Sequence, residues 1–236
     1  MGRPLLLLRL EAPLQSWGLR SRWDVRDSGD EPSKSAVIGM LGCALGYPTG
    51  DARLEDMEQV LTMGVREEHP GVRMTDFQTV TGAHPTAEGR LRGSDDDPDT
   101  IVSPRAYLQD AAFMVVLAGP ATVLEECRDA LLAPRWPVYL GRKSCPPVRP
   151  VLECLTDKYE TVREALERHP WEWSGCPDPQ PPYPANLRTV EEDEAGVAIR
   201  ADRIRTNPAR MYGARSVRPD WVDFPGAAPE GVSPCS

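Results

Sequence analysis

The segment LLLLRL, residues 5–10, is the feature that most restricts the fold of this 236-residue chain. It is apolar at every position except Arg9. An uninterrupted apolar run predicts a strand covered on both faces, because a strand with one solvated face alternates apolar and polar residues. We therefore expect this strand in the middle of a sheet, followed by a long polar connection over residues 15–30.

The segment EPSKSAVIGMLGCALG, residues 31–46, predicts a helix, because its apolar residues recur at helical spacing. Gly46 predicts a left-handed C-cap, and Pro48 prevents the helix from continuing. Gly39 and Gly42 each cost a helix about 0.5–1 kcal/mol relative to alanine. We expect a stripe of small residues to let this helix lie unusually close to the sheet or to the backbone on the side of the excursion at residues 75–104. The stripe consists of Ala36, Gly39, Gly42, Cys43 and Gly46.

Later segments continue the alternation of strands and helices. Residues 58–65 predict a strand or the end of a short helix, residues 107–117 a strand, residues 122–132 an amphipathic helix and residues 138–140 a short strand. The resulting order of strand, helix, strand, strand, helix, strand is that of a ferredoxin-like split unit. The predicted fold class is therefore α+β.

Two further regions depart from this order. Residues 75–104 are polar, dotted with glycine and include the acidic run DDDPD, so we expect them to leave the core between the two halves of the unit. After Pro150 the pattern weakens. Residues 160–168 predict a helix, the proline-rich residues 176–184 an irregular segment, and residues 197–204 a strand.

Local charge is more informative than total charge. The formal net charge of -9 gives no global attraction to nucleic acid, so phosphate binding requires local basic patches. Two acid-free segments supply them, residues 135–149 and 203–218, where arginines alternate with Trp136, Tyr139 and Tyr212. Guanidinium groups, aromatic rings and glycines suit single-stranded nucleic acid. A solvated charged face remains the alternative.

The start of the predicted helix, Ser33-Lys34-Ser35, has three interpretations. A phosphate-cradling loop requires glycines where this chain has Ser28 and Ser33, so a nucleotide site is disfavoured. Ser33 alternatively accepts a backbone amide as a side-chain N-cap. In the third interpretation the helix N-terminus, with Lys34 and two hydroxyls, binds an RNA phosphate.

Other chemistries find little support. The six cysteines form no CxxC pair and no metal-type cluster with the histidines, and scattered thiols predict a reducing cytoplasm. The longest apolar run, residues 111–118, is far shorter than the ~18 residues of a membrane span. His69 and His169 precede prolines and are predicted at the surface, which leaves His84 as the candidate general base.

Several stretches, in this order, resemble the CasD family. They are LLLLRLEAPLQSWG, EPSKSAVIGMLGCALG, DFQTVTGA, RAYLQDAAFMVVL and PRWPVYLGRKSCPP. The resemblance covers residues 5–150 well and the remainder loosely, through ARMYGARSV. Five ordered motifs at similar separations are far more specific than any one of them.

The resemblance implies a fold and a division of the chain. The family has a ferredoxin-like (RRM-like) palm of repeat-associated proteins, with an inserted thumb hairpin and a variable C-terminal β extension. Residues 1–74 would form the first half of the palm, residues 75–104 the thumb, and residues 105–236 the second half with the extension.

The resemblance also implies a role in antiviral defence. The family is the crRNA 5′-handle-binding subunit of the type I-E CRISPR surveillance complex, Cascade. It contacts the backbone, large and other subunits and reaches target DNA only through the complex, with no membrane. The implied activity is non-catalytic, with no cofactor and no metal.

Residues matching the family motifs become the predicted RNA contacts. The handle-contacting loop comprises Tyr139, Leu140, Gly141, Arg142, Lys143, Ser144 and Cys145. Arg142 and Lys143 would pair with phosphates, Tyr139 would stack, and Gly141 would permit close backbone approach. Handle phosphates are also expected near Arg26, Lys34 and Ser35, and the base of the thumb is matched by Arg105 and Tyr107.

Two alternatives to this role stay open. In a related CRISPR subtype the corresponding subunit cuts RNA, so the chain is alternatively a metal-independent endoribonuclease with His84 as general base. Gln78 in DFQTV stands where relatives can carry a histidine, which disfavours catalysis at that position. The third option is a generic interaction protein that binds an acidic partner through its basic loops.

Overall fold

An antiparallel sheet of seven strands organises the chain. The computed structural model describes residues 3–19, 25–86, 88–175, 183–206 and 211–226. The helices are α1 (Lys34–Leu45), α2 (Ala52–Val60), α3 (Ala121–Leu132) and α4 (Val162–Arg168). The strands are β1 (Leu5–Glu11), β2 (Leu14–Gln15), β3 (Thr62–His69), β4 (Val72–Gly82), β5 (His84–Pro85), β6 (Leu91–Arg92), β7 (Asp99–Gln109), β8 (Ala112–Ala118), β9 (Leu152–Thr156), β10 (Asn186–Glu192), β11 (Ala198–Arg205) and β12 (Met211–Asp223). The predicted α+β class is confirmed.

The main sheet has the strand order β11-β12-β10-β3-β8-β1-β9, so β1 lies between β8 and β9. Every residue of β1 is buried, which confirms the prediction of a covered central strand. On one face, Leu6 and Leu8 pack in a core shared with α1, α2 and α3; on the other, Leu5 and Leu7 pack with α4. Because successive side chains point to opposite faces, a strand covered on both sides is apolar throughout.

The C-terminal cap of helix α1 is the predicted one, whereas its N-terminal cap is not. Gly46 has a φ of 79° and donates to Cys43, while the Tyr47 amide donates to Gly42 at 2.7 Å, which closes the helix with a left-handed cap. At the start, the Ser33 hydroxyl makes no capping bond. The Lys34 amide instead donates to the Asp202 carboxylate at 2.7 Å. The predicted side-chain cap is therefore wrong, because a carboxylate from β11 satisfies the helix terminus.

The small-residue stripe of α1 does not lie against the sheet. A Cβ at Gly42 would lie 2.3 Å from Leu54 Cδ2, so Gly42 allows α2 to pack closely on α1. A Cβ at Gly39 would meet no atom within 4 Å in the described part of the chain. The expectation that the whole stripe serves close packing is therefore wrong at Gly39, where the helix surface is open.

Three predicted elements have different boundaries. Residues 58–65 contain both the end of α2 and the start of β3. Residues 107–117 are split at Asp110, whose φ of 56° lies in the left-handed region, into β7 and β8. Residues 138–140 form no strand. The position beside β1 is taken by β9, which begins only at Leu152. The strand predicted at residues 197–204 is β11, and residues 176–182 lie outside the described part.

A long hairpin projects from the main sheet. Strands β4 and β7 pair over eleven residues, from Val72 with Gln109 to Gly82 with Asp99, and the short strands β5 and β6 lie near the turn. The predicted excursion, residues 75–104, lies within this hairpin. The acidic residues 95–97 are exposed. Beyond β3, strands β10, β12 and β11 continue the main sheet.

The described cysteines are not all in the same state. The thiols of Cys43, Cys127 and Cys145 are free, whereas Cys154 is disulfide-bonded, which departs from the expectation of reduced thiols at that position. No helix in the described ranges is both long and apolar enough to cross a membrane. The same ranges hold no group of three or more potential metal ligands.

Candidate nucleic-acid interface

One cleft of about 620 Å³ brings together residues from distant parts of the sequence. Its floor includes Ala36, Gly39 and Cys43 of α1. The predicted site residues that line it are Arg26, Ser35, Tyr139, Gly141 and Arg142. They come from three segments more than a hundred residues apart at the extremes, so the fold gathers them into a single surface.

The loop 139–145 is a closed turn with two buried ends. The Leu140 amide donates to the Cys145 carbonyl at 2.8 Å, and the Cys145 amide donates to the Arg142 carbonyl at 2.9 Å. Leu140 and Cys145 belong to the main core with 0% and 1% of their surfaces exposed. Their side chains therefore anchor the loop and are not available as RNA contacts, which corrects the sequence-based expectation for both.

Gly141 is required by the protein's own backbone. Its φ is 91°, and a Cβ there would lie 1.7 Å from the Ser16 carbonyl oxygen. Next to it, the Ser16 amide donates to the Leu140 carbonyl at 3.2 Å. Residues other than glycine rarely adopt that φ, and no side chain fits between Gly141 and the Ser16 carbonyl. Glycine therefore permits close approach here, but the approaching backbone is that of Ser16.

The guanidinium group of Arg142 holds the loop in place. It donates to the carbonyl oxygens of Ala106, Arg26 and Asp27 at 3.0, 3.1 and 3.3 Å. Its guanidinium carbon also lies 4.5 Å from the centre of the Tyr107 ring. The side chain is half-buried at the edge of the cleft. Arg142 thus fixes the loop against β7 while adding positive charge to the cleft.

The residues matched to the base of the thumb differ in accessibility. Tyr107 is 2% exposed and its hydroxyl accepts from Gln78 at 3.4 Å, so it does not offer a ring to a base. Arg105 is half-buried, and its Nε has no hydrogen-bond partner. Arg26 is exposed. Its backbone is held by hydrogen bonds with Pro104 and Ala106 on β7.

Lys34 lies inside the protein rather than at the cleft. It is 1% exposed, and its Nζ lies 2.8 Å from Glu192 and 3.3 Å from Glu58. The expected phosphate contact is corrected on this ground, because two carboxylates already enclose the ammonium. Ser35 does line the cleft, with 8% exposure and its hydroxyl 3.3 Å from that of Ser33.

The second basic segment is largely neutralised. Arg215 and Asp202 form a buried pair at 2.7 Å. Arg203 contacts Glu58 and Glu192 at 3.3 and 3.4 Å, and Arg205 lies 3.6 Å from Glu55. Arg218 pairs with Asp193. Arg210 lies outside the described residues. These ion pairs leave the segment with fewer available cations than its sequence implies, and its role as an RNA surface stays a prediction; Tyr212 lines the cleft.

The histidines lie outside the described lining of the cleft. His169, predicted at the surface, is fully buried, and burial lowers its pKa below the ordinary value. His69 stacks on Trp173 with ring centres 3.8 Å apart. His84 is in the long hairpin, with Nε2 at 3.0 and 3.3 Å from the carbonyl oxygens of Val80 and Asp99. Since carbonyl oxygens accept, this nitrogen carries the proton.

Several lining residues were not identified from sequence. The lining also includes Tyr47, Thr49 and Thr206. Tyr47 follows the helix cap, and nothing in its local pattern signals a site. Beside the cleft, Lys143 is exposed and, within the described ranges, has no carboxylate partner. Burial raises the pKa of the Cys43 thiol, and the Lys143 charge opposes that shift.

Comparison with known proteins gives consistent matches. The family described as CRISPR-associated protein (Cas_Cas5) matches residues 5–218. The Cascade subunit CasD of the CRISPR system of Escherichia coli (strain K12) is 34% identical over 163 residues, which cover 63% of this chain and 70% of that protein.

Two solved structures share the fold. One, titled a CRISPR RNA-guided surveillance complex, has a TM-score of 0.73 and 32% identity, with 97% of this chain and 95% of the other covered. The other, titled a crystal structure of a Cas protein, has a TM-score of 0.67 and 33% identity, with 95% and 98% covered. Since the family match spans most of the sequence and the relatives agree with it, the chain belongs to the CasD family of CRISPR-associated Cas5 proteins.

Proposed function

We propose that this protein is a non-catalytic RNA-binding subunit of a type I-E CRISPR surveillance complex, Cascade, acting in defence against foreign DNA. It grips the 5′ handle of the guide RNA and caps the backbone next to the large subunit. The observation that carries the proposal is the cleft, which combines Arg26, Tyr139 and Arg142 with the exposed Lys143 at its rim. The relatives named above are a Cascade subunit and an RNA-guided complex.

The chemistry of the cleft suits single-stranded RNA. Arg26 and Lys143 have no carboxylate partner among the described residues, so phosphates are available counter-ions for them. Tyr139 and Trp136 provide ring surfaces on which unstacked bases pack. Asp27 is the one acidic residue in the described lining. A negatively charged protein therefore carries a local surface with the opposite charge.

The arrangement of the four central strands supports the palm and thumb of the family. Strands β1, β3, β8 and β9 lie in the order β3-β8-β1-β9, with helices after the first and the third, as in a ferredoxin-like unit. We therefore keep residues 1–74 and 105–236 as the palm and its C-terminal extension, and residues 75–104 as the thumb. Target DNA is reached through the complex, in the cytoplasm, where the guide RNA is made.

The groups in the cleft support a non-catalytic role. General acid-base cleavage of RNA needs a group that titrates near neutral pH within reach of the 2′-hydroxyl. The described lining contains no histidine, and His84 lies in the long hairpin with Nε2 facing two carbonyl oxygens. No observation favours the endoribonuclease over the binding role.

A binding experiment with repeat-derived RNA tests the proposal. The wild-type protein and the double variant Arg26→Ala/Lys143→Ala are titrated with an RNA oligonucleotide carrying the CRISPR repeat, in chelator and at several salt concentrations. We expect the variant to bind at least tenfold more weakly, with a shallower dependence on salt, because two phosphate contacts are lost.

The matched control is Arg128→Ala/Arg168→Ala, which removes the same charge from α3 and α4. It should leave the affinity unchanged. Equal losses of RNA affinity in both double variants would show that binding depends only on the net charge of the protein, and would refute the cleft as the site. Accumulation of a specific RNA fragment, abolished by His84→Ala, would replace the proposal by the endoribonuclease.

A further inference from the structure

Gly39 has no structural reason to be a glycine. It lies in the middle of α1, it is exposed, and a Cβ built on it meets no atom of the described residues within 4 Å. Its φ lies outside the left-handed region, so alanine fits without strain. Alanine would also stabilise the helix, because glycine gains more conformational freedom on unfolding. Gly42, three residues later, differs, since Leu54 occupies the space of its Cβ.

Gly39 is among the residues that line the cleft. Without a side chain at this position, an incoming group can contact the helix backbone directly. The cleft volume of about 620 Å³ lies within the range of about 300–1,000 Å³ typical of ligand pockets. Tyr139 and Trp136 belong to the walls. A flat aromatic ligand therefore has both space and rings to pack on.

An independent observation points to a hydrogen-bond acceptor in the same cleft. Ser33 and Ser35 are 3% and 8% exposed, and both line it. Their hydroxyls share one hydrogen bond of 3.3 Å and have no other partner among the described residues. Two hydroxyls carry two protons, so one O–H remains without an acceptor. Because both residues line the open cleft, this O–H can donate to water or to a ligand oxygen or ring nitrogen that replaces the water.

We propose that Gly39 is the size-determining residue of the cleft, kept without a side chain so that one unstacked nucleotide of the guide RNA packs its base against the backbone of α1. The free hydroxyl proton of the Ser33–Ser35 pair is donated to an acceptor on that nucleotide. This inference rests on the proposed function and adds to it the position of a base within the site.

The test separates stability from binding. Gly39→Ala and Gly39→Leu are compared with wild type by urea denaturation and by titration with the repeat RNA. We expect the urea midpoint to rise in Gly39→Ala while its affinity falls about tenfold. In Gly39→Leu, whose side chain fills more of the cleft, the affinity should fall about a hundredfold. A merely structural residue would not give higher stability together with weaker binding.

Two controls complete the experiment. Thr122→Ala improves an exposed position of α3 and should raise the urea midpoint without changing the affinity. Ser35→Ala should weaken binding severalfold. Unchanged affinity in both Gly39 variants would overturn the inference, while weakened binding by Arg26→Ala/Lys143→Ala would still leave the proposed function in place. If that double variant also binds like wild type, the proposed function fails as well.

Discussion

The two acid-free basic segments, residues 135–149 and 203–218, are alike in sequence and differ in the structure. In the first, Arg135, Arg142 and Lys143 have no carboxylate partner among the described residues, and Arg149 pairs with Glu172 at 2.7 Å. In the second, each described arginine lies beside a carboxylate. The absence of acids along a segment therefore does not show that its cations are free.

The difference follows from where each segment lies. Residues 211–218 belong to β12, which lies between β11 and β10. The acids that pair with these arginines are Glu192 at the end of β10, Asp193 directly after it, Asp202 of β11, and Glu55 and Glu58 of α2. A buried charge needs a partner of opposite sign. The loop is at the surface, where water solvates its cations and RNA can replace that water.

The largest expected effect in this comparison is the loss of stability on Arg215→Ala. Arg215 and Asp202 are 4% and 2% exposed, and Asp202 also accepts from the amide at the start of α1. Removing one partner of a buried ion pair costs about 3–5 kcal/mol, because the other charge is left uncompensated. Urea denaturation measures the free energy of unfolding directly.

The exposed pair of the same strand provides the control. Arg218→Ala should change the free energy of unfolding by at most about 1 kcal/mol, as for other surface ion pairs.

For Arg215→Ala we expect the folded protein to keep its RNA affinity. Wild-type stability combined with weakened RNA binding would show instead that this segment is an RNA surface, and the contrast between the segments would be lost.

An intermediate effect is expected for Arg142→Ala, which acts on both properties. Three backbone carbonyls each lose one donor, although those of Ala106 and Arg26 keep another, so the free energy of unfolding should fall by about 1–3 kcal/mol. The RNA affinity should fall about tenfold, since the loop is no longer fixed and a charge is removed. Denaturation and RNA titration are both needed to separate these effects.

Arg142→Lys distinguishes charge from geometry. Lysine keeps the positive charge but cannot reproduce the forked contacts of a guanidinium group. We expect the salt dependence of binding to recover while stability stays reduced. Full recovery of both would mean that the contacts to Ala106, Arg26 and Asp27 do not position the loop.

The smallest effect on stability is expected for Lys143→Ala. An exposed side chain without an ion pair should change the free energy of unfolding by no more than about 0.5 kcal/mol. The slope of log affinity against log salt should nevertheless decrease by about one, because one phosphate contact disappears. Arg205→Ala, in the other segment, should leave that slope unchanged. A lower slope in Arg205→Ala and an unchanged slope in Lys143→Ala would show that the second segment, rather than the first, supplies the phosphate contact.

Much of the fold was predictable because local patterns and the core agree. The apolar run at residues 5–10, the spacing of α1 and α3, and the glycine cap at residue 46 each predict one structure, and the described residues have it. Residues 138–140 did not follow their local pattern, since the place beside β1 went to β9, which has no stronger strand signal. Pairing partners decide such cases, and they are distant in sequence.

The candidate site was predictable in part. Sequence identified Arg26, Tyr139 and Arg142, which line the cleft, but also Tyr107 and Leu140, which are buried. A tyrosine on a strand has the same local signature whether its ring faces solvent or core. The sequence pattern predicts a packing role for Gly39, and its open surroundings become apparent only in the folded structure.

The sequence by itself determined strand β1, helices α1 and α3, the family and the two concentrations of positive charge, because these depend on residue type and spacing. Only the tertiary structure decided which cations are free. Lys34 is paired with Glu192, 158 residues away, and Arg215 with a buried carboxylate on the neighbouring strand. Electrostatic pairing depends on distance and on exclusion of water, and both are set by chain packing rather than by order along the chain.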